Sequence, residues 1–420
     1  MTNPKSHRGT RKSLPLLFIL LALAVATGNL ARQPADVNAA MAQTGTDPIS
    51  QDPPSAAGTA PVSVPEKQWL VLPLPPEGAG ISRMDKHVTL AFSPLTNRVY
   101  FTGGDYLGTS YRQETWSLDI AERLRHPDNP SAGWRLEYPY CGPVGAPQPK
   151  GPDFVGWTWD PKRNVFWMVP GEMQPHGPYS PRCPGERPDY SGDEDGTQGP
   201  KLLFRHIMTF DPVSRRWADY DTLRPTDGQG SDTWSSAYDP MTDTLVRASP
   251  SHMMGIYNIS RKKWTHYPLG RGVEIQRVHW ATDYDARRIF MIDPVNGRLH
   301  RWNMDARTLS DLGRIPGGPI SGSFVIADKG YCVWDSSARV LIHYRPYRQG
   351  VFVYHPDEKP PRWEATDFPL AQGTPAGLKV HWNGAAFDPV NNLMIGIGGE
   401  GSDYIWLLRY GAVTSPAGTS

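Results

Sequence analysis

Cysteine is scarce in this sequence. There are three in 420 residues, and no two form a CxxC pair. That argues against a zinc knuckle and a thioredoxin-like redox site. Charge of one sign is missing too. Basic residues number 43 and acidic residues 42, for a net charge of +1. With no dominant charged block, nucleic-acid binding has no electrostatic footing. Past residue 26, no apolar run is long enough to span a bilayer. There is no Ser-His-Asp motif, phosphate loop or dinucleotide fingerprint.

Turn formers and aromatics are plentiful. The chain holds 41 Gly, 43 Pro, 15 Trp and 18 Tyr. Many turns combined with many aromatics point to short antiparallel strands. Cys141 and Cys183 lie in neighbouring Pro/Gly-rich loops, where an exported protein would form a disulfide; the alternative is unpaired thiols. Cys332 sits in the apolar run Gly330–Trp334 and reads as a small buried hydrophobe.

Residues 1–13 carry Lys5, Arg8, Arg11 and Lys12 with no acid, and Leu14–Ala26 is apolar. This pattern predicts a signal peptide over residues 1–42, with Ala40-Met41-Ala42 fitting a cleavage site. If left uncleaved, the segment would anchor the chain to a membrane. The expected location is therefore secreted or periplasmic. Residues 43–65 are rich in Pro, Ala and Thr and read as a flexible linker. Residues 411–420 read as a tail.

Repeats decide the fold of residues 66–410. One unit recurs: a short aromatic strand, Asp-Pro or a relative, polar residues, then a second apolar strand. Copies run Leu90–Tyr100, Gly156–Phe166, Ser236–Leu245, Thr282–Phe290 and Ala386–Met394, with a weaker copy at Phe324–Cys332. In this unit the Asp or Ser accepts turn N–H groups and Pro fixes φ. Asn or Asp then takes the dihedral that reverses the chain. A second hairpin follows, ending in a spaced Trp, as at Trp217, Trp264 and Trp363. Two hairpins make a four-stranded propeller blade. First halves number six, but only five second halves carry a final strand. The missing strand is supplied by Glu66–Leu74, with Trp69 in the place of the spaced Trp. The prediction is an all-β, six-bladed β-propeller with four-stranded antiparallel blades, closed by its N-terminal strand. The alternative is an open β-array or two sandwiches.

Gly103-Gly104, Gly398-Gly399, Tyr257 with Trp264 and Tyr354 with Trp363 carry a resemblance. The chain resembles the kelch-type, galactose-oxidase-like propellers, although four blades lack Gly-Gly. The resemblance implies the fold. Six-bladed exported members act on sugars, and others only bind partners. Copper oxidases of that group use two Tyr, two His and a Tyr–Cys cross-link, a set that does not map onto this chain.

The repeats also orient the ring. Each inner strand runs into its Asp-Pro turn, so residues before it face the opposite mouth of the central channel, where a ligand is expected. His87, His279 and His381 share nearly one repeat position there, beside Arg277. They are the candidate acid–base residues. Ligand contacts are expected from Arg83, Asp105, Asp153, Trp157, Asp232, Trp234, Trp280, Lys379, Trp382 and Glu400. Asp293, Asp335 and His252 are expected on loops at the same mouth. Three converging imidazoles would also suit a metal. Asp193, Glu194 and Asp195 before Gly196 would suit calcium, or form a solvated acidic loop.

Mixed His, Arg, Asp and Trp around a concave mouth fit a sugar. The first functional expectation is carbohydrate binding, with lyase- or epimerase-type chemistry if the chain is an enzyme. That chemistry needs only a base, an acid and a cation. The alternative is a non-enzymatic protein-interaction scaffold at the cell surface or in the periplasm. A third reading is a metal-dependent oxidase.

Overall fold

The computed structural model describes residues 63–75, 89–102, 105–106, 110–111, 114–139, 142–143, 156–169, 206–222, 235–249, 252–270, 272–273, 280–319, 331–345, 350–372, 378, 384–397 and 404–411. They form six four-stranded antiparallel sheets, the blades of a β-propeller.

Numbered by their inner strands, blade 1 holds Thr89–Ser93, Arg98–Thr102, Thr115–Leu118 and Trp134–Tyr138. Blade 2 holds Gly156–Asp160, Val165–Val169, His206–Asp211 and Arg216–Thr222. Blade 3 holds Ser236–Asp239, Thr244–Ser249, Met253–Asn258 and Lys263–Pro268. Blade 4 holds Trp280–Asp283, Arg288–Asp293, Arg298–Asn303 and Thr308–Arg314. Blade 5 holds Tyr331–Asp335, Val340–Arg345, Gly350–His355 and Arg362–Thr366. Blade 6 holds Gly384–Asp388, Leu393–Ile397 and Tyr404–Leu408, and its outer strand is Trp69–Pro73.

At five of the six blade boundaries the inner strands stand side by side. Blades 3 and 4 are joined where the Trp280 N–H donates to Ser235 Oγ at 2.9 Å. Six apolar clusters fill the spaces between successive blades, one per interface. A strand in such a sheet is buried on both faces, so the second strands read as continuous apolar runs. Arg288–Asp293 is buried at every position.

The closing strand pairs as its sequence predicts. Trp69 stands opposite Leu408, as Trp217 stands opposite Phe210 and Trp264 opposite Tyr257. The ring begins slightly before the predicted boundary. Val64, inside the stretch read as linker, is 1% exposed and packs in the cluster between blades 6 and 1. In blade 4 the outer-strand position opposite Trp302 is Leu309 rather than Trp.

Blade 5 corrects the repeat register. Its first hairpin is Tyr331–Asp335 with Val340–Arg345, so the copy is Val333–Leu341 rather than Phe324–Cys332. Asp335 therefore lies in the turn at the Asp-Pro end and not at the opposite mouth. Cys332 is a buried inner-strand residue with a free thiol, and burial pushes that thiol well up.

The turns themselves follow one design. Asp160, Asp239, Asp283, Asp335 and Asp388 are buried, and each accepts turn N–H groups through Oδ1. The last turn residue is left-handed in all six blades: Asn97, Asn164, Asp243, Arg287, Arg339 and Asn392. Asn and Asp tolerate that region; Arg there costs about 1 kcal/mol. The arginines recover it across blade boundaries. Arg287 forks onto Asp239 of blade 3 at 2.7 and 2.9 Å. Arg339 reaches Asp283 of blade 4 and Asp357 of its own blade.

Between its third and fourth strands blade 1 carries the helix Ile120–Arg125, capped by Asp119 accepting the Glu122 N–H. Its Arg123 is fully buried. The guanidinium donates to the carbonyls of His126, Pro127 and Pro73 at 2.8, 2.9 and 3.1 Å. Burial lowers its pKa. Pro73 ends the closing strand, so Arg123 ties blade 1 to that strand. Arg123→Met should cost about 3 kcal/mol in urea unfolding, because buried carbonyls lose their donor. A loss below about 0.5 kcal/mol would sink that assignment.

Candidate functional site in the central channel

The six inner strands enclose a cavity of about 590 Å³, lined by residues of every blade. Its shape follows from the repeats. Each inner strand enters the ring, turns one face to each neighbouring blade, and leaves one edge toward the axis.

Indole rings dominate the wall. Trp159, Trp280 and Trp334 line it, with Phe92 and Phe387 from blades 1 and 6. Hydroxyl groups interleave with them: Thr158, Ser236 and Thr282. Gly156 lets blade 3 approach, since a Cβ there would stand 2.5 Å from the Ser236 Cβ. The indole Nε1 atoms of Trp157 and Trp159 and the Ser236 hydroxyl are buried with no hydrogen-bond partner among the described residues. These atoms are sealed from solvent, so the groups open to a ligand are the half-buried side chains of Trp159, Trp280 and Thr282.

Charge is nearly absent from the wall. Asp283 contributes to the lining, but its carboxylate is held by Arg288 at 2.8 Å and Arg339 at 3.3 Å. Asp285 sits at the Asp-Pro rim with its side chain 79% exposed. The wall therefore suits a neutral or locally neutral ligand with one flat face and several oxygens.

Two of the expected ligand residues are described with their side chains. Trp157 is the second residue of the inner strand of blade 2, but it is 3% exposed and its ring stacks on Phe166 at 4.7 Å, with Trp217 at 5.4 Å. Trp280 opens the inner strand of blade 4, half-buried at the channel wall. The backbone at Asp105 pairs with Tyr111 in a small hairpin between the second and third strands of blade 1. Arg83, His87, Asp153, Asp232, Trp234, Arg277, His279, Lys379, His381, Trp382 and Glu400 lie outside the described residues. So do Cys141, Cys183 and the acidic segment 193–196.

Two loop residues expected at the mouth are described. His252 has a left-handed backbone, with Nδ1 2.7 Å from the Val273 carbonyl. Asp293 is buried and accepts from Asn296, with His300 Nε2 at 3.7 Å. Among the described residues, no three His, Cys, Asp or Glu side chains gather in a way that would hold a metal.

The sequence reading missed Trp159, Trp334, Thr158, Thr282 and Tyr284 as channel residues. A signal was present. The residue before the turn Asp or Ser is Phe92, Trp159, Tyr238, Trp334 and Phe387 in five blades. In blade 4 it is Thr282.

No family model matches the chain, and no curated protein matches it either. Among solved structures, the chain is similar to one described as "Streptogramin B lyase structure". The identity is 12% and the TM-score 0.42, over 82% of this chain and 99% of that one.

Proposed function

We propose that the chain is an exported propeller that binds a carbohydrate in its central channel and acts on it at the mouth by lyase- or epimerase-type acid–base chemistry. Kinship with kelch-type propellers is part of this reading. The observation that carries it is the channel wall, where indole rings stand beside hydroxyl groups. Indoles cover the apolar face of a pyranose, and hydroxyl and N–H groups bond its oxygens.

The chemistry falls to the residues that precede the inner strands. One imidazole among His87, His279 and His381 takes a proton from the carbon beside a uronate carboxylate; a second gives a proton either to the departing oxygen on the neighbouring carbon, as the freed electron pair forms the double bond of a lyase product, or to the opposite face of the same carbon in an epimerase. Arg277, with Arg83, neutralises the carboxylate as negative charge builds on it. Trp280 follows His279 directly in the chain, so a sugar stacked on the described wall is close to that segment.

The test uses residues Ala57–Ser420, which form one compact unit. They are screened against a glycan array and a panel of uronate-containing polysaccharides. His279→Ala should lower turnover by about 10²-fold or more while leaving the melting temperature unchanged. Wild-type protein that neither binds nor turns over any member of broad panels would overturn the reading in favour of an interaction scaffold.

A further inference from the structure

Five of the six inner-strand turns place a small or ring-locked residue after the buried acceptor: Pro94, Pro161, Pro240, Ser336 and Pro389. All five line the cavity, but none of them is aromatic. Blade 4 places Tyr284 there. It is also the blade whose inner strand has Thr282 where the other five carry an aromatic.

Tyr284 belongs to blade 4, yet its oxygen meets Thr158 of blade 2 and the backbone of Tyr238 of blade 3. Blades 2 and 4 are not neighbours, so a side chain of one meets the other only across the channel. The residue lines the cavity and is 44% exposed. It is held in place by its turn. Asp283 accepts the Ala286 N–H at 3.2 Å, and left-handed Arg287 is clamped between Asp239 and Asp305. Asp285 beside it sits at the exposed rim of the cavity, 3.6 Å from Arg339.

We propose that Tyr284 is the floor of the channel: it closes the Asp-Pro end, so that a ligand enters from the opposite mouth and is read at its terminal residue. Reading the terminus rests on the carbohydrate assignment above; closure of the channel does not. The phenol hydroxyl donates to and accepts from the oxygens of that residue. A phenol is protonated at neutral pH, so it can donate.

Two variants and two readouts test this. Hydroxyl-radical footprinting of the full chain, read at Trp159 by mass spectrometry, needs no ligand. Tyr284→Ala should raise Trp159 oxidation severalfold, whereas Tyr284→Phe, which keeps the ring, should not. The second readout is a glycan array on which each chain is displayed with a free or an O-methylated outer residue. Wild type should need the free end, and Tyr284→Ala should accept the capped one. Tyr284→Phe should keep the end requirement but bind roughly 3- to 10-fold more weakly, for one lost neutral hydrogen bond. Unchanged Trp159 oxidation in Tyr284→Ala overturns the floor. Equal wild-type affinity for capped and free ends overturns end-reading. An opened floor with no glycan bound by any variant sinks the carbohydrate assignment and leaves the closure standing.

Discussion

Deleting residues 66–74 should abolish the cooperative unfolding transition of the ring, and Trp69→Ala should lower its stability by about 4 kcal/mol. The reasons are visible around one indole. Trp69 is 1% exposed and meets Trp406 edge-on at 6.2 Å and Phe368 at 6.4 Å. Its backbone is used on both sides. It pairs with Leu408 in blade 6, and it also donates to the Pro369 carbonyl and accepts the Ala371 N–H. The deletion would strip three structures at once: the outer strand of blade 6, the partner of segment 369–371, and the carbonyl of Pro73 that Arg123 binds. It would also bare the edge of Tyr404–Leu408, which invites pairing between molecules. Circular dichroism melts and urea titrations measure the outcome. A deletion variant that still unfolds in one sharp transition near the wild-type midpoint would show that the strand merely decorates blade 6.

The second large effect concerns two aspartates at equivalent turns with opposite electrostatics. Asp239 is buried and holds Arg287 with both oxygens while also accepting from the Met241 N–H and Thr242 Oγ1. Burial alone would raise its pKa, but Arg287 and the turn donors outweigh burial and hold it below the usual carboxylate range. Asp335 also accepts two turn N–H groups, from Ser337 and Ala338 at 2.9 Å, but has no cationic partner among the described residues. Burial there dominates and pushes the carboxyl up. Asp239→Asn should therefore cost about 2–4 kcal/mol at pH 7, since Arg287 loses its buried charge partner and keeps only the exposed Asp305. Asp335→Asn keeps an acceptor oxygen for the turn and should change stability by less than about 1 kcal/mol.

The pH dependence of the two sites has opposite signs. A carboxyl whose folded pKa is depressed binds fewer protons folded than unfolded. Its stabilisation is present above the unfolded value, about 3.9, and is lost as pH falls through the folded value. A raised carboxyl binds more protons folded, so its ionisation weakens the fold as pH climbs through the folded value. Urea titrations at pH 7 and in the acid range should find the Asp239→Asn deficit shrinking in acid. Asp335→Asn should look best at pH 7 and lose that advantage in acid. Equal losses from both substitutions at pH 7 would remove the distinction.

The closing strand was legible because a repeat count leaves a remainder. Six first halves against five completed second halves required a strand from elsewhere, and Trp69 carried the matching aromatic. Blade 5 was misread because its turn, Asp335-Ser-Ser-Ala-Arg339, has neither Pro nor Asn at the expected places. Its left-handed position is held by Arg339, whose partners Asp283 and Asp357 lie in other turns. A residue whose conformation is stabilised from a distance carries no local mark. Arg287 has the same property, but the Thr282-Asp-Tyr-Asp pattern of blade 4 kept its register readable. Channel residues such as Trp159 and Trp334 were legible as strand aromatics but not as lining. Which side of a strand meets the axis depends on the ring being closed.

Closure has a further meaning for how the molecule comes into being. The two strands that seal blade 6 lie at opposite extremes of the chain. Blades 1 to 5 can form as they emerge, each from neighbouring hairpins. Trp69–Pro73 must wait, unpaired, until Tyr404–Leu408 has been made. Such a long-range pairing is slow to find, and until it forms both strands remain open to the wrong partner. A chain cut short before residue 404 would therefore be defective at its beginning as well as its end.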